Sequence, residues 1–169
     1  MVKIMKVEIR KTELAHAVAI RDIIDHEAVL REISGYPHPV PLEQIQKEIN
    51  NGLRNWKTGE SYGFTVFVDG KIAGTVVLEE PNKTKTIYEV GGFIGHKYWN
   101  SGIATEALKQ IIDFGFKKGI HQIQADHDKT NPGSGKVMEK AGMKHYKTKK
   151  DVKRPFGLVN VHFYKVRPK

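Results

Sequence analysis

The segment Asn100-Ser101-Gly102 constrains this chain more than any other, because it joins runs of two different periods with no linker between them. Before it, Thr86 to Gly95 reads as a strand. After it, Ile103, Ala107, Ile111 and Phe114 lay one apolar stripe on a helix from Gly102 to Lys118. A strand that passes straight into a helix is the junction of a layered α/β unit. It also offers backbone NH groups with no partner inside the helix, in the favourable potential of the helix dipole, and Gly102 and Ala104 keep the approach free of bulk. A pyrophosphate could lie against such a main chain. The segment is neither a Walker loop, lacking Gly-Lys-Ser/Thr, nor a dinucleotide fingerprint, lacking the Gly-x-Gly-x-x-Gly spacing. A glycine at a strand-to-helix turn also serves purely structural ends.

The rest of the chain arranges itself around this junction. Lys3 to Arg10 alternates and reads as a first strand. Thr12 can cap a helix over Glu13 to Ile33, with a bend at Asp25. Three prolines in Gly35 to Pro41 end it, and Ile45, Ile49, Leu53 and Trp56 stripe a second helix from about Leu42. Tyr62 to Glu80 holds two β-rich runs with Asp69-Gly70 placed as a hairpin turn. Beyond the Gly102 helix come a short strand at Ile120 to Ala125, a short helix at Gly133 to Ala141 stopped by Gly142, and two closing strands around His145 and His162. The order βααβββαβαββ predicts a single α/β domain over residues 1–169, with a mixed, mostly antiparallel sheet flanked by helices.

The absence of cysteine removes disulfides, thiolate metal sites and a thiol nucleophile, and fits a reducing cytoplasm. No apolar run approaches a membrane span and the start carries no signal core, so the sequence predicts a cytoplasmic protein with no membrane partner. The net charge of +9 raises nucleic acid, the ribosome or a polyanionic cofactor as partners. Much of it falls in Lys144 to Arg154, with six Lys or Arg against one Asp, yet without an aromatic-rich RNA-binding signature. Solvation or cofactor steering is the plainer reading.

Three motifs in order carry a resemblance. Glu89-Val90-Gly91-Gly92-Phe93-Ile94 is followed by Tyr98-Trp99-Asn100-Ser101-Gly102-Ile103-Ala104-Thr105-Glu106-Ala107, and then by Asn131-Pro132-Gly133-Ser134 with Val137-Met138-Glu139-Lys140-Ala141-Gly142. Together they resemble the GNAT acetyltransferases, more closely the RimJ/RimL-like branch that acetylates protein N-termini and other amines. Tyr36-Pro37-His38-Pro39 is similar to that branch's loop before its second helix. The resemblance implies acetyl-CoA as co-substrate and no metal. Phe93 and Ile94 would line the pantetheine through backbone hydrogen bonds; Trp99, Asn100, Ser101, Gly102, Ile103, Ala104 and Thr105 would hold the pyrophosphate; Asn131 would bond the pantetheine arm, and Ser134 would sit near the departing thiolate.

One departure concerns the general acid, a Tyr in many superfamily members where this chain has Met138, which cannot donate a proton. Ser134, one turn earlier on the same helix face, is the remaining matched candidate, with helix capping as its alternative role. Glu89 is the candidate base for the amine's proton, because partial burial would lift its pKa toward the working range. It could instead pair with a lysine, and Glu79 and Glu80 are alternatives. Backbone NH groups near Phe93 or Ile94 could stabilise the oxyanion.

His121, His127, His145 and His162, with Asp126-His127-Asp128, invite a metal reading, but their spacings match no zinc signature. Trp56, Phe114 and Phe116 recur at helical spacing and are assigned to the core. With no cysteine to carry an acetyl group, direct transfer from acetyl-CoA to a primary amine in a ternary complex is expected. The acceptor is a protein N-terminal amine, or alternatively a polyamine, an aminoglycoside or a small metabolite; a homodimer is the favoured assembly. Two rival readings stand beside this: a catalytically silent CoA-binding module, and a basic RNA- or ribosome-associated protein.

Overall fold

The computed structural model describes residues 3–128, 131–155 and 157–169. Seven strands form one sheet: β1 (Val7–Lys11), β2 (Ser61–Val68), β3 (Lys71–Glu79), β4 (Ile87–Ile94), β5 (Gln122–Asp128), β6 (Lys144–Arg154) and β7 (Gly157–Val166). Their spatial order is β1-β2-β3-β4-β5-β7-β6. Every neighbouring pair is antiparallel except β4 with β5. The helices are α1 (Ala17–Ile24), α2 (Glu27–Glu32), α3 (Leu42–Thr58), α4 (Ile103–Lys117) and α5 (Pro132–Lys140). None is long and apolar enough to cross a membrane.

The two faces of the sheet carry separate apolar layers. Val66, Leu78 and Ile123 meet Ile103 and Ile111 of α4 and Met138 of α5 on one face. Ile20, Ile24, Ile45 and Ile49 of α1 and α3, with Ile72 and Phe93, fill the other. Trp56, Phe114 and Phe116 are partly buried against the α4 layer. Trp56 and Phe114 reach it edge to face, with ring centroids of each within 5.1 Å of Phe64.

Two local expectations are corrected. The first strand begins at Val7, not Lys3, because its partner β2 ends at Val68. Lys6 still bonds Asp69 in the turn, its amide donating to the carboxylate at 3.0 Å, but no strand residue faces Lys3 to Met5, and Ile4 is 92% exposed. The first helix is not capped by Thr12 and is not one helix. Thr12 accepts a hydrogen bond from the Thr65 hydroxyl at 3.1 Å, while Glu13 and His16 cap a 3-10 turn reciprocally. At Asp25 the helix is broken from a distance: its carboxylate accepts from the Val40 amide at 2.9 Å and from His38 Nδ1 at 2.8 Å. The amide bond, first, and then His38 hold that carboxyl below its ordinary pKa. His26 Nδ1 then accepts from the Ala28 amide and starts α2 afresh.

Candidate active site

The site is built on a fork in the sheet. β4 and β5 pair at only three positions, Ile87 with Gln122, Tyr88 with Ile123 and Glu89 with Gln124. Beyond Glu89, β4 stays with β3 as far as Ile94, whereas β5 follows β7 as far as Asp128. The strands part, and the second half of β4 has a backbone edge that no strand pairs. A Cβ on Gly92 would lie 2.2 Å from the Thr75 carbonyl oxygen, and one on Gly74 2.1 Å from that of Phe93. β3 and β4 therefore approach too closely for a side chain at either place, and Gly91 and Gly92 leave the fork exposed and bare.

At the open end of β4 the chain turns through His96–Tyr98 and enters α4. Trp99 folds back so that its indole Nε1 donates to the Ile94 carbonyl at 2.8 Å, and the Ser101 hydroxyl donates to the Tyr98 carbonyl. The expected roles are restricted: the Phe93 backbone faces Thr75 of β3 and not the fork, so it is not available to line the pantetheine. The Ile94 carbonyl is engaged by Trp99 and Ile103 has its side chain in the core, which leaves their NH groups for a ligand. Asn100 and Gly102 take left-handed φ values of 57° and 81°. No side chain caps α4 at Gly102, and its backbone ladder begins with Glu106 NH to the Gly102 carbonyl. The first-turn amides of Ile103, Ala104 and Thr105 precede it. A groove of about 360 Å³ opens there between Ser101, Gly102, Ile103 and Glu106 and the N-terminal Ile4, Met5 and Val7.

At the closed end of the fork, Glu89 stands opposite Glu79 on β3 and Gln124 on β5. It is exposed, and its side chain makes no hydrogen bond or ion pair with a described residue. Partial desolvation, then the negative charges of Asp126 and Glu79, raise its pKa. Glu80 is otherwise employed, its carboxylate accepting from the amides of Asn82 and Thr84 at 3.1 and 2.7 Å. Asp126 is raised too, by burial first, although Arg154 opposes that shift. Arg154 donates from Nη2 to Asp126 at 3.2 Å and from Nε to Asp128 at 3.3 Å. The sequence reading missed this contact, whose one signal was the alternation of Asp126 and Asp128 onto one face of β5.

On the other side of β5, Asn131 caps α5, its Oδ1 accepting from the Ser134 amide at 3.3 Å. The capping role considered for Ser134 therefore belongs to Asn131. Among the described residues the Asn131 amide NH₂ and the Ser134 hydroxyl have no hydrogen-bond partner, and Met138 is 8% exposed in the core. His127 Nδ1 lies 2.8 Å from the Asp128 carbonyl oxygen, which can only accept, so Nδ1 carries the proton. Its Nε2 is buried under Gly135 without a hydrogen-bond partner among the described residues. His145 and His162 flank Thr148, whose hydroxyl is 2.9 Å from each. Among the described residues no group of three or more His, Asp or Glu could hold a metal.

Residues 6–144 match the family described as acetyltransferase (GNAT) domain. The chain is 30% identical over 127 residues to a probable N-acetyltransferase, YjcK, of Bacillus subtilis (strain 168), covering 72% of this chain and 67% of that protein. A GNAT-family acetyltransferase structure from Bacillus anthracis is 25% identical with a TM-score of 0.80, covering 96% of this chain and 95% of that one. RimL, a ribosomal-protein alpha-N-acetyltransferase solved in complex with coenzyme A, shares the fold at a TM-score of 0.86 and 16% identity, covering 95% of this chain and 93% of that one. The chain belongs to the GNAT family of acetyltransferases.

Proposed function

We propose that this acetyltransferase moves acetyl from acetyl-CoA directly to a primary amine with both substrates bound together, and that the acceptor is the N-terminal amine of a polypeptide. The observation that carries the reading is the fork, which joins the uncapped amides of α4 at one end to Glu89 at the other. The pyrophosphate lies on the NH groups of Ile103, Ala104 and Thr105, with the turn Trp99 to Gly102 shaping its approach. The free edge of β4 at Ile94 bonds the pantetheine as an added strand, the Asn131 amide holds its arm, and the thioester comes to rest between Glu89 and Ser134.

Acetyl-CoA supplies the activated carbonyl. Glu89, with its pKa raised toward the working range, takes the ammonium proton directly or through one water. An amide on the open edge of β4 stabilises the oxyanion, and the Ser134 hydroxyl hydrogen-bonds the departing sulfur. RimL, named for alpha-N-acetylation of a ribosomal protein, supports the choice of acceptor through the shared fold.

The test is calorimetry with CoA, followed by mass spectrometry of peptides incubated with acetyl-CoA. Binding together with a 42 Da gain at the N-terminal residue is the expected result, the mass being about that of one acetyl group replacing a proton. No association with CoA would refute the cofactor site, and acetylation of small amines alone would refute the acceptor.

A further inference from the structure

Three rows of side chains cross the sheet from the fork to its outer edge. Glu89 is opposite Gln124, which faces Lys165 and then Lys144. Asp126 faces Phe163 and then Lys147; Asp128 faces Val161, which is itself fully buried, and then Lys149. Residues directly opposite share a face, so each row begins at a carboxylate beside the fork and ends at an exposed lysine on β6. The aromatic rings on this face carry cations: Lys165 Nζ is 4.5 Å from the Tyr146 ring centre and Lys147 Nζ 5.9 Å from that of Phe163. α5 packs on the opposite face, and the helices on this one, α1 and α3, lie over β3 and β2. Arg154, bonded to Asp126 and Asp128, ties the far end of β6 to the acidic end of the rows.

Resting on the N-terminal acceptor reading above, we propose that this face is a docking surface for an acidic polypeptide. The free amine enters at the carboxylate end, and acidic side chains further along the acceptor meet Lys144, Lys147 and Lys149. Strands are about 4.8 Å apart and an extended chain rises about 3.3 Å per residue, so the distance from fork to β6 corresponds to about three to five residues after the amine. Lysines on an edge strand also deter edge-to-edge pairing, but that role needs no register with carboxylates across two strands. A nucleic-acid backbone fits less well, because its phosphates would meet Glu89, Asp126 and Asp128 at the inner end of every row.

The experiment compares kcat/KM for peptides that share their first two residues and carry acidic, neutral or basic residues at positions three to five. They are assayed with the wild-type chain and with the Lys147→Glu/Lys149→Glu variant. The expected wild-type result is a preference of about five- to tenfold for the acidic over the neutral peptide, the effect of two or three exposed ion pairs, carried by KM and suppressed at high salt. In the variant the preference disappears or passes to the basic peptide. Equal use of acidic and neutral peptides by the wild type would overturn the docking surface while leaving N-terminal acetylation intact. Failure on every peptide with turnover of a small amine would overturn both. An acidic preference that survives in the variant, while salt-sensitive binding of an RNA oligonucleotide is lost, would assign the lysines to nucleic acid instead. Should the variant fail to fold by circular dichroism, the salt series on the wild type decides, and a preference undiminished by salt overturns the proposal.

Discussion

Replacing Gly102 with valine separates a structural glycine from one that makes room for a ligand. Its φ of 81° is a region that β-branched residues avoid, at a cost of roughly 1–2 kcal/mol. A Cβ there meets nothing within 4 Å, so no clash adds to that cost. For a domain of this size the melting temperature should fall by about 2–8 °C. The open space in front of the Cβ is where the proposed pyrophosphate meets the amides of Ile103 to Thr105. Displacing one charge-assisted hydrogen bond there costs about 1.5–3 kcal/mol, or about 10- to 150-fold in affinity for CoA. Gly102→Ala shares most of the backbone strain with less bulk and should lose less affinity. Isothermal calorimetry and thermal unfolding of both variants make the comparison. A lowered melting temperature with unchanged CoA affinity would refute the phosphate assignment and leave Gly102 a structural turn.

Three further outcomes are expected. Glu89→Gln should lower kcat by about 10²- to 10⁴-fold and abolish the acidic limb of the pH–rate profile, which in the wild type lies above the ordinary carboxylate range because the pKa of Glu89 is raised. A raised carboxyl favours the fold when protonated and loses that contribution as pH rises through the folded pKa. Thermal melts at neutral pH should therefore show the Gln variant no less stable than wild type, since a charge facing Asp126 and Glu79 is removed. Asn131→Ala should cost about 1 kcal/mol through the lost cap and weaken CoA binding, whereas Ser134→Ala should lower turnover with near-normal CoA binding and little change in melting. Ile111→Ala, at a fully buried position between α4 and the sheet, should destabilise by about 2–5 kcal/mol by chemical denaturation.

Local chemistry was legible in the sequence wherever one segment decides its own conformation. Asp69-Gly70 turns a hairpin with φ values of 48° and 78°, Gly142 ends α5 at φ 95°, and the stripe Ile103, Ala107, Ile111 is buried as spaced. What escaped depends on groups distant in the chain. The bend read at Asp25 is there, but its cause, the bonds to His38 and Val40, was not read, and Thr12 is drawn from its capping role by Thr65. The fork was not read at all, because hydrophobic alternation on β4 and β5 cannot say where two parallel strands stop pairing. Arg154 belonged to a basic run whose other members face solvent; only the β6–β7 register brings it to Asp126 and Asp128.

The seam between β4 and β5 has three rungs, against six between β3 and β4 and six between β5 and β7. It is the weakest rivet line in an otherwise continuous plate. Deuterium exchange should therefore begin at its margins and split the molecule into β1–β4 and β5–β6–β7 halves before either melts. If a thioester carrier binds along the gap as proposed, it supplies missing rungs, and occupancy would be read as slowed exchange at Val90 to Ile94, far from the turn proposed to anchor its phosphates.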